Sequence, residues 1–333
     1  MGKSGRLFKS VSRLVFPVIF LIVVAVVAGS VWLIHNASRP QTSVYILTPA
    51  KAGMLSTRAA QVTDETWPNR DGSTARGWLL RGADGAPGVL LLHKYGADRS
   101  HLLNLGVKLN ESTNFTVLMP DLRAHGENPA VVNASFGGCE TEDAAAAIEF
   151  LRGLKTSNQI SLVGKDLGIY GVEMGSLVAL ASAANDEGIK AIALDSMPST
   201  SDAVLDETVS RRFPFADFAT TRLAQLGTYM YYFDGCYQRR AACEMARRIG
   251  NRNIMLLAGV DAPAFQGATS DLAKCFPALN KIESKTDLSP SGLSIINASM
   301  EQTEAYDQRL IDFFRNSLTD YGNTVTVTAK NAD

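Results

Sequence analysis

Cysteine and histidine are scarce in this chain: 4 of each among 333 residues. No C-x-x-C occurs and no cysteine clusters with a histidine, which excludes the common zinc and dithiol spacings. No metal or other cofactor is implied. The histidines are His35, His93, His101 and His125, so everything after residue 125 lacks the side chain most often used as a general base. An excess of one charge is missing as well. The formal net charge is -1, which argues against a nucleic-acid partner. Internal repeats and low-complexity tracts are also absent.

The positive charge is not evenly spread. Lys3, Arg6, Lys9 and Arg13 precede an uncharged apolar run from Leu14 to Ile34 that contains Pro17. A helix needs about 20 apolar residues to cross a bilayer, and this run supplies them. A cleaved signal peptide is the rival reading, with Val26-Val27-Ala28 as its processing site. The run is longer than the usual signal core and continues past that site, so an uncleaved single-pass anchor is expected. Only Arg39 and Lys51 follow closely, which puts the N-terminus in the cytoplasm and the main domain in the periplasm or outside the cell. The chain then divides into a basic segment (1–13), an anchor (14–34), a linker (35–54), a folded domain (55–318) and a loose polar tail (319–333). Outside the cytoplasm a Cys236–Cys243 bridge is one reading. Free buried thiols, with Cys139 and Cys275 included, are the other.

The linker holds one β-like run, Ser43 to Leu47. Beyond it, strand-like and helix-like runs alternate. Thr74 to Leu80, Gly88 to Leu92, Phe115 to Met119, Ala191 to Leu194 and Ile254 to Ala258 read as strands, the second apolar enough to be buried on both faces. Leu102 to Leu109, Glu140 to Leu154, Thr269 to Cys275 and Thr303 to Phe314 read as helices. Ala144, Ala147, Ile148 and Leu151 line one face of the second, and Tyr306, Leu310, Phe313 and Phe314 line one face of the last. This alternation implies an α/β fold with a mostly parallel sheet covered on both faces by helices. The segment 199–250 interrupts it with Arg- and Tyr-rich, helix-like sequence. It suits either a lid over the carboxyl edge of the sheet or ordinary flanking helices.

Three segments carry chemistry. Leu90-Leu91-Leu92-His93-Lys94-Tyr95-Gly96-Ala97-Asp98-Arg99-Ser100 has the form of a strand-end LLHGxGxxR loop. Asp121-Leu122-Arg123-Ala124-His125-Gly126-Glu127-Asn128 has the form of DxRGHGxS. Gly171-Val172-Glu173-Met174-Gly175 lies between the β-like Leu167 to Tyr170 and the helix-like Ser176 to Ala181. It has the frame of a G-x-S-x-G nucleophile elbow, with glutamate at its apex. In this order and between these elements, the three make the chain resemble the α/β-hydrolase superfamily, with a serine-aminopeptidase-like and esterase-like texture, from about Trp78 to Phe314. The resemblance implies oxyanion-type backbone donors at Tyr95 and Met174, and structural loop roles for His93, Arg123 and His125.

The departures bear on activity. The superfamily's base follows the last core strand, where this chain reads Glu283-Ser284-Lys285-Thr286-Asp287-Leu288-Ser289-Pro290, without histidine. Its acid ends a G-x-x-D turn, and Gly259-Val260-Asp261-Ala262 places Asp261 one position early. A carboxylate at the apex is a weak nucleophile toward esters. Haloalkane dehalogenases and epoxide hydrolases use one, but theirs is aspartate and still needs a histidine. Glutamate's extra methylene displaces the attacking oxygen by about 1 Å, which costs on the order of a hundredfold. Lys94 replaces the loop glycine and either pairs with Glu173 in the pocket or points to solvent. The expected function is a membrane-anchored pseudoenzyme that binds a small-molecule ligand or an exported protein. The alternatives are a hydrolase of altered mechanism using Glu173 with Lys94, and a scaffold that docks a partner through Arg211-Arg212-Phe213-Pro214-Phe215 and Tyr229 to Tyr232.

Overall fold

A computed structural model of the chain describes residues 4–41, 48–51, 61–127, 129–213 and 218–330. The run Ser43 to Leu47, with Asn128, Pro214 and Phe215, lies outside them. At the centre is an eight-stranded sheet in the order β1-β2-β4-β3-β5-β6-β7-β8. Its strands are β1 (Val62–Pro68), β2 (Thr74–Leu80), β3 (Ala86–Leu92), β4 (Thr116–Pro120), β5 (Val163–Val172), β6 (Ile189–Asp195), β7 (Asn253–Gly259) and β8 (Lys281–Leu288). β2 runs antiparallel to both neighbours and all other pairings are parallel. Val89 to Leu92 of β3 are buried, each leucine contributing about 2 kcal/mol of burial.

Nine α-helices surround the sheet among the described residues: α1 (Ser4–Ala37), α2 (Leu103–Thr113), α3 (Glu140–Gly153), α4 (Met174–Asn185), α5 (Ser201–Arg212), α6 (Phe218–Tyr231), α7 (Ala242–Ala246), α8 (Pro263–Leu272) and α9 (Met300–Lys330). Helices α2, α8 and α9 cover one face of the sheet, where Phe314 packs on the strand at Gly168. Helices α3 and α4 and the 199–250 segment cover the other. The expected α/β architecture, with one apolar N-terminal helix in front of it, is therefore met.

Several expectations need correction. The stretch expected as a linker begins inside α1, and its Ala37 and Ser38 are buried in the domain. Helix α9 runs on past Leu318, where a loose tail was expected; once nucleated, a helix extends at little cost per residue. The stretch Glu283 to Leu288, expected to follow the last core strand, is part of β8 itself. Cys236 and Cys243 are not joined. The bridges are Cys139–Cys236, spanning 97 residues, and Cys243–Cys275, spanning 32. Short spacing favoured the wrong pair, because chain separation says little about which thiols the fold brings together.

Candidate functional site

The elbow is built by backbone contact. A Cβ at Gly171 would lie 2.1 Å from the carbonyl oxygen of Gly175, and one at Gly175 would lie 2.4 Å from that of Leu92. Only glycine fits at either flank. Between them Glu173 takes φ 51° and ψ -113°, a region that side-chain-bearing residues adopt at a cost of about 1–3 kcal/mol. Such a turn holds the apex side chain over the carboxyl edge of the sheet, where a nucleophile would sit.

That side chain is 1% exposed and fully engaged. Its Oε2 accepts the backbone N–H of Tyr95 at 2.9 Å. Its Oε1 accepts Arg211 Nη2 at 3.0 Å, in an ion pair that reaches down from α5. Burial raises the carboxyl pKa, against the pull of Arg211, Lys94 and the Tyr95 N–H. Tyr95 is one of the two backbone donors implied for an oxyanion, and the chain's own carboxylate occupies it. Met174, the other, opens α4 and makes no hydrogen bond to Glu173.

The two glycine-containing loops are stapled by their histidines. His93 accepts the N–H of Leu122 at 3.0 Å on Nε2 and places Nδ1 2.8 Å from the carbonyl of Lys94. His125 accepts the N–H of Gly96 at 3.0 Å on Nε2 and places Nδ1 2.8 Å from the carbonyl of Arg123. A ring that accepts at Nε2 and faces a carbonyl at Nδ1 must be neutral, with its proton on Nδ1. Burial agrees: it holds His93 well below the usual value and His125 at about 4. Neither ring has a nitrogen left for a substrate or nucleophile. Arg123 turns away from the elbow and pairs with Asp143 at 2.5 Å.

No protein-family model matches the sequence, and no curated protein matches it either. Solved structures do match. The Pyrococcus furiosus esterase Pf2001 superposes with a TM-score of 0.59 at 21% identity, over 84% of this chain and 99% of its own. The α/β hydrolase GrgF from Penicillium gives 0.56 at 14% identity, over 78% and 99%. A dienelactone hydrolase from Anabaena variabilis gives 0.54 at 12% identity, again over 78% and 99%. The chain has the α/β-hydrolase fold.

Within this hydrolase fold, the side chains that could serve chemistry hold the loop after β8 instead. Lys94 Nζ donates to the carbonyl of Leu293 at 2.5 Å, and no ion pair joins it to Glu173. Of the two readings of Lys94, a pair with Glu173 or a path to solvent, neither holds: it bonds the 289–293 loop, and α5 brings Arg211 to the carboxylate. Burial lowers the Lys94 pKa, opposed by the charge of Glu173. His101 Nε2 donates to the carbonyl of Gly292 at 3.0 Å, and burial brings its pKa down to about 4. Asp261 accepts the N–H and the hydroxyl of Ser291 at 2.9 and 3.0 Å. It therefore caps this loop and makes no contact with Glu173.

Sequence reasoning missed Asp195, and read Arg211 only as part of a partner-docking segment. Asp195, at the carboxyl end of β6, accepts Tyr306 Oη at 2.5 Å, the N–H of Gly292 at 2.9 Å and Ser196 Oγ at 2.7 Å. Burial raises its pKa against those bonds. It is a fully buried carboxylate facing the loop where the superfamily's base was expected, and a glycine backbone fills that place. The only signal was an aspartate closing an apolar run. Beside the two partners of Glu173, Tyr95 and Arg211, lies an open cleft of about 550 Å³ with Gln41, Lys94, Thr208 and Arg212 also in its wall.

Proposed function

We propose that this protein is a membrane-anchored pseudoenzyme of hydrolase fold, which holds a small-molecule ligand or an exported protein partner outside the cytoplasm and does not carry out serine-hydrolase chemistry. The observation that carries the reading is the Glu173 carboxylate bound to Tyr95 N–H and Arg211. Catalysis of acyl transfer needs donors aimed at the charge that develops on the substrate, and here a resident anion already takes one of them. A base is also needed to activate an attacking group, and both nearby loop histidines have their ring nitrogens occupied.

The open cleft beside Tyr95 and Arg211 is the ligand site in this reading, and the basic side chains Lys94, Arg211 and Arg212 in its wall favour a ligand carrying a carboxylate or phosphate. Location outside the cytoplasm rests on the basic residues ahead of the apolar run of α1. The pairing of all four cysteines agrees, because disulfides persist in oxidising compartments. Full-length protein exposed to a fluorophosphonate probe and to a panel of esters and epoxides is expected to stay unlabelled and inactive. Turnover abolished by Glu173→Gln would replace this reading with hydrolysis by Glu173 and Lys94.

A further inference from the structure

Helix α1 has two different halves. From Val15 to Val27 its large apolar side chains are exposed, Phe16 by 74% and Leu21 by 64%, whereas Ser30, Leu33, Ile34, Ala37 and Ser38 are buried in the domain. The element that buries the turns from Ser30 onward is chiefly α6. A Cβ on Gly227 of α6 would lie 2.3 Å from the carbonyl oxygen of Ser30, so the two backbones touch there. Tyr231, at the end of α6, lies 3.3 Å from His35 Nδ1 and 3.5 Å from Ser38 Oγ. Small residues that let helices approach this closely are typical of helix pairs in lipid.

This contact sets a height for α6. A bilayer core about 30 Å thick takes up about 20 residues of helix. Counted from Val15, just after the last basic residue, the span ends near Ile34. Ser30 and Gly227 therefore lie just inside the outer edge of the hydrocarbon, and Tyr231, beside His35 and Ser38, marks where α6 leaves it.

The opposite face of α6 is apolar and exposed. Phe218 (73% exposed), Leu226 (45%), Tyr229 (68%) and Met230 (36%) recur at helical spacing, and Phe233 (90%) extends the stripe beyond the helix end. A soluble surface rarely gathers so many large apolar side chains on one stripe. Arg222, exposed on this stripe, sits over the Phe218 ring, an arrangement that lets its guanidinium reach the headgroups while the ring faces the acyl chains.

We infer that α6 is an interfacial helix: its Phe218–Phe233 stripe inserts into the outer leaflet beside α1, so the hydrolase-fold domain rests on the bilayer surface. This rests on the reading of α1 as a retained anchor. The backbone contact of Gly227 with Ser30, on the turn of α1 that follows its exposed apolar flank, selects lipid as the occupant over a protein partner.

Tryptophan quenching tests the inference in full-length protein reconstituted into vesicles. Of the three tryptophans, Trp67 and Trp78 are buried, whereas Trp32 on α1 is 55% exposed. Quenching of the parent by lipids brominated near the headgroup therefore reports the anchor. Leu226→Trp and Phe233→Trp add a reporter on the stripe, where the native side chains already face outward. Their added emission is expected to be quenched by the brominated lipid and shielded from aqueous iodide. Quenching by iodide alone would show the stripe in water and overturn the inference. Protection from both quenchers would show it covered by protein, a second copy included, and would also overturn it. If the parent itself is not quenched by lipid, the anchor reading fails first.

Discussion

The elbow at Gly171–Gly175 and the loop at 289–293 meet at the same carboxyl edge of the sheet, yet they are made differently. The elbow is shaped by backbone against backbone, with Gly171 pressed on Gly175 and Gly175 on Leu92. The loop is held by side chains from several elements: Lys94 and His101 on its carbonyls, Asp195 and Asp261 on its N–H groups. A turn made by backbone contact leaves its apex residue free to change, so glutamate can stand in a nucleophile's position without disturbing the bend. A loop made by side chains ties the identity of each one to the fold. In this molecule the second arrangement engages Lys94, His101, Asp195 and Asp261 together.

The sharpest way to break the elbow is Gly175→Ala. The new methyl would meet Leu92 and His93 carbonyl oxygens at 2.4 and 2.6 Å; Leu92 ends central strand β3, and the His93 ring is tied to Leu122 and Lys94, so neither has room to retreat. A loss of about 3–4 kcal/mol is expected, measured by chemical unfolding, with sharply reduced yield.

The loop side of the comparison responds to pH. His101 has its pKa lowered from 6.5 to about 4 by burial, with the nearby Lys94 charge acting in the same direction. The folded state thus binds fewer protons than the unfolded chain between those values. The stability that neutral His101 provides is complete above pH 6.5 and is lost as pH falls toward 4. In His101→Gln, whose amide can still donate to Gly292, the drop in stability between pH 7 and 4.5 should be smaller than in the parent by about 2–3 kcal/mol. Asp143 and Asp307, raised from 3.8 to about 6, act with the opposite sign over part of this window. They are common to both proteins and cancel in the difference.

How much was legible in the sequence follows the same division. The central strands β3 and β4 could be read because burial on both faces demands continuous apolar residues. The edge strands β1 and β8 could not: Val62–Pro68 and Lys281–Leu288 are polar and largely exposed, as strands at a sheet edge tend to be. The elbow was readable because its two glycines are required at fixed spacing. The partner of Glu173 was not, since Arg211 lies 38 residues away on another element and no local pattern connects them. Asp195 had no motif around it, and its role depends on Tyr306 and Gly292, both more than ninety residues distant.

A smaller effect is expected from Arg211→Ala, which removes the cation from the apex carboxylate. Glu173 keeps the Tyr95 N–H but loses its ion pair with Arg211, and its pKa, already raised by burial, should rise further. Because the Arg211 side chain is 44% exposed, solvent screens part of the interaction and the loss should be about 1–2 kcal/mol. Thermal unfolding across pH would show the variant's deficit shrinking as pH falls and the carboxyl becomes protonated. A deficit that stays constant would mean that Arg211 acts through packing, and the charge balance drawn at the elbow would have to be revised.

The smallest effect is the most informative. Glu173→Ser restores the residue that the elbow frame normally presents, and the frame should accept it with little strain, since glycines rather than the apex shape the turn. If hydrolysis were one residue away, ester turnover would appear. It is expected not to, because a serine hydroxyl attacks only when a base removes its proton. His93 and His125 are neutral staples between loops, and the loop after β8 presents the Gly292 backbone to Asp195. The variant should therefore remain silent toward a fluorophosphonate probe and show background ester cleavage. Labelling of residue 173 would mean that a base reaches the elbow after all, and the contrast between an intact frame and a loop held by side chains would fail.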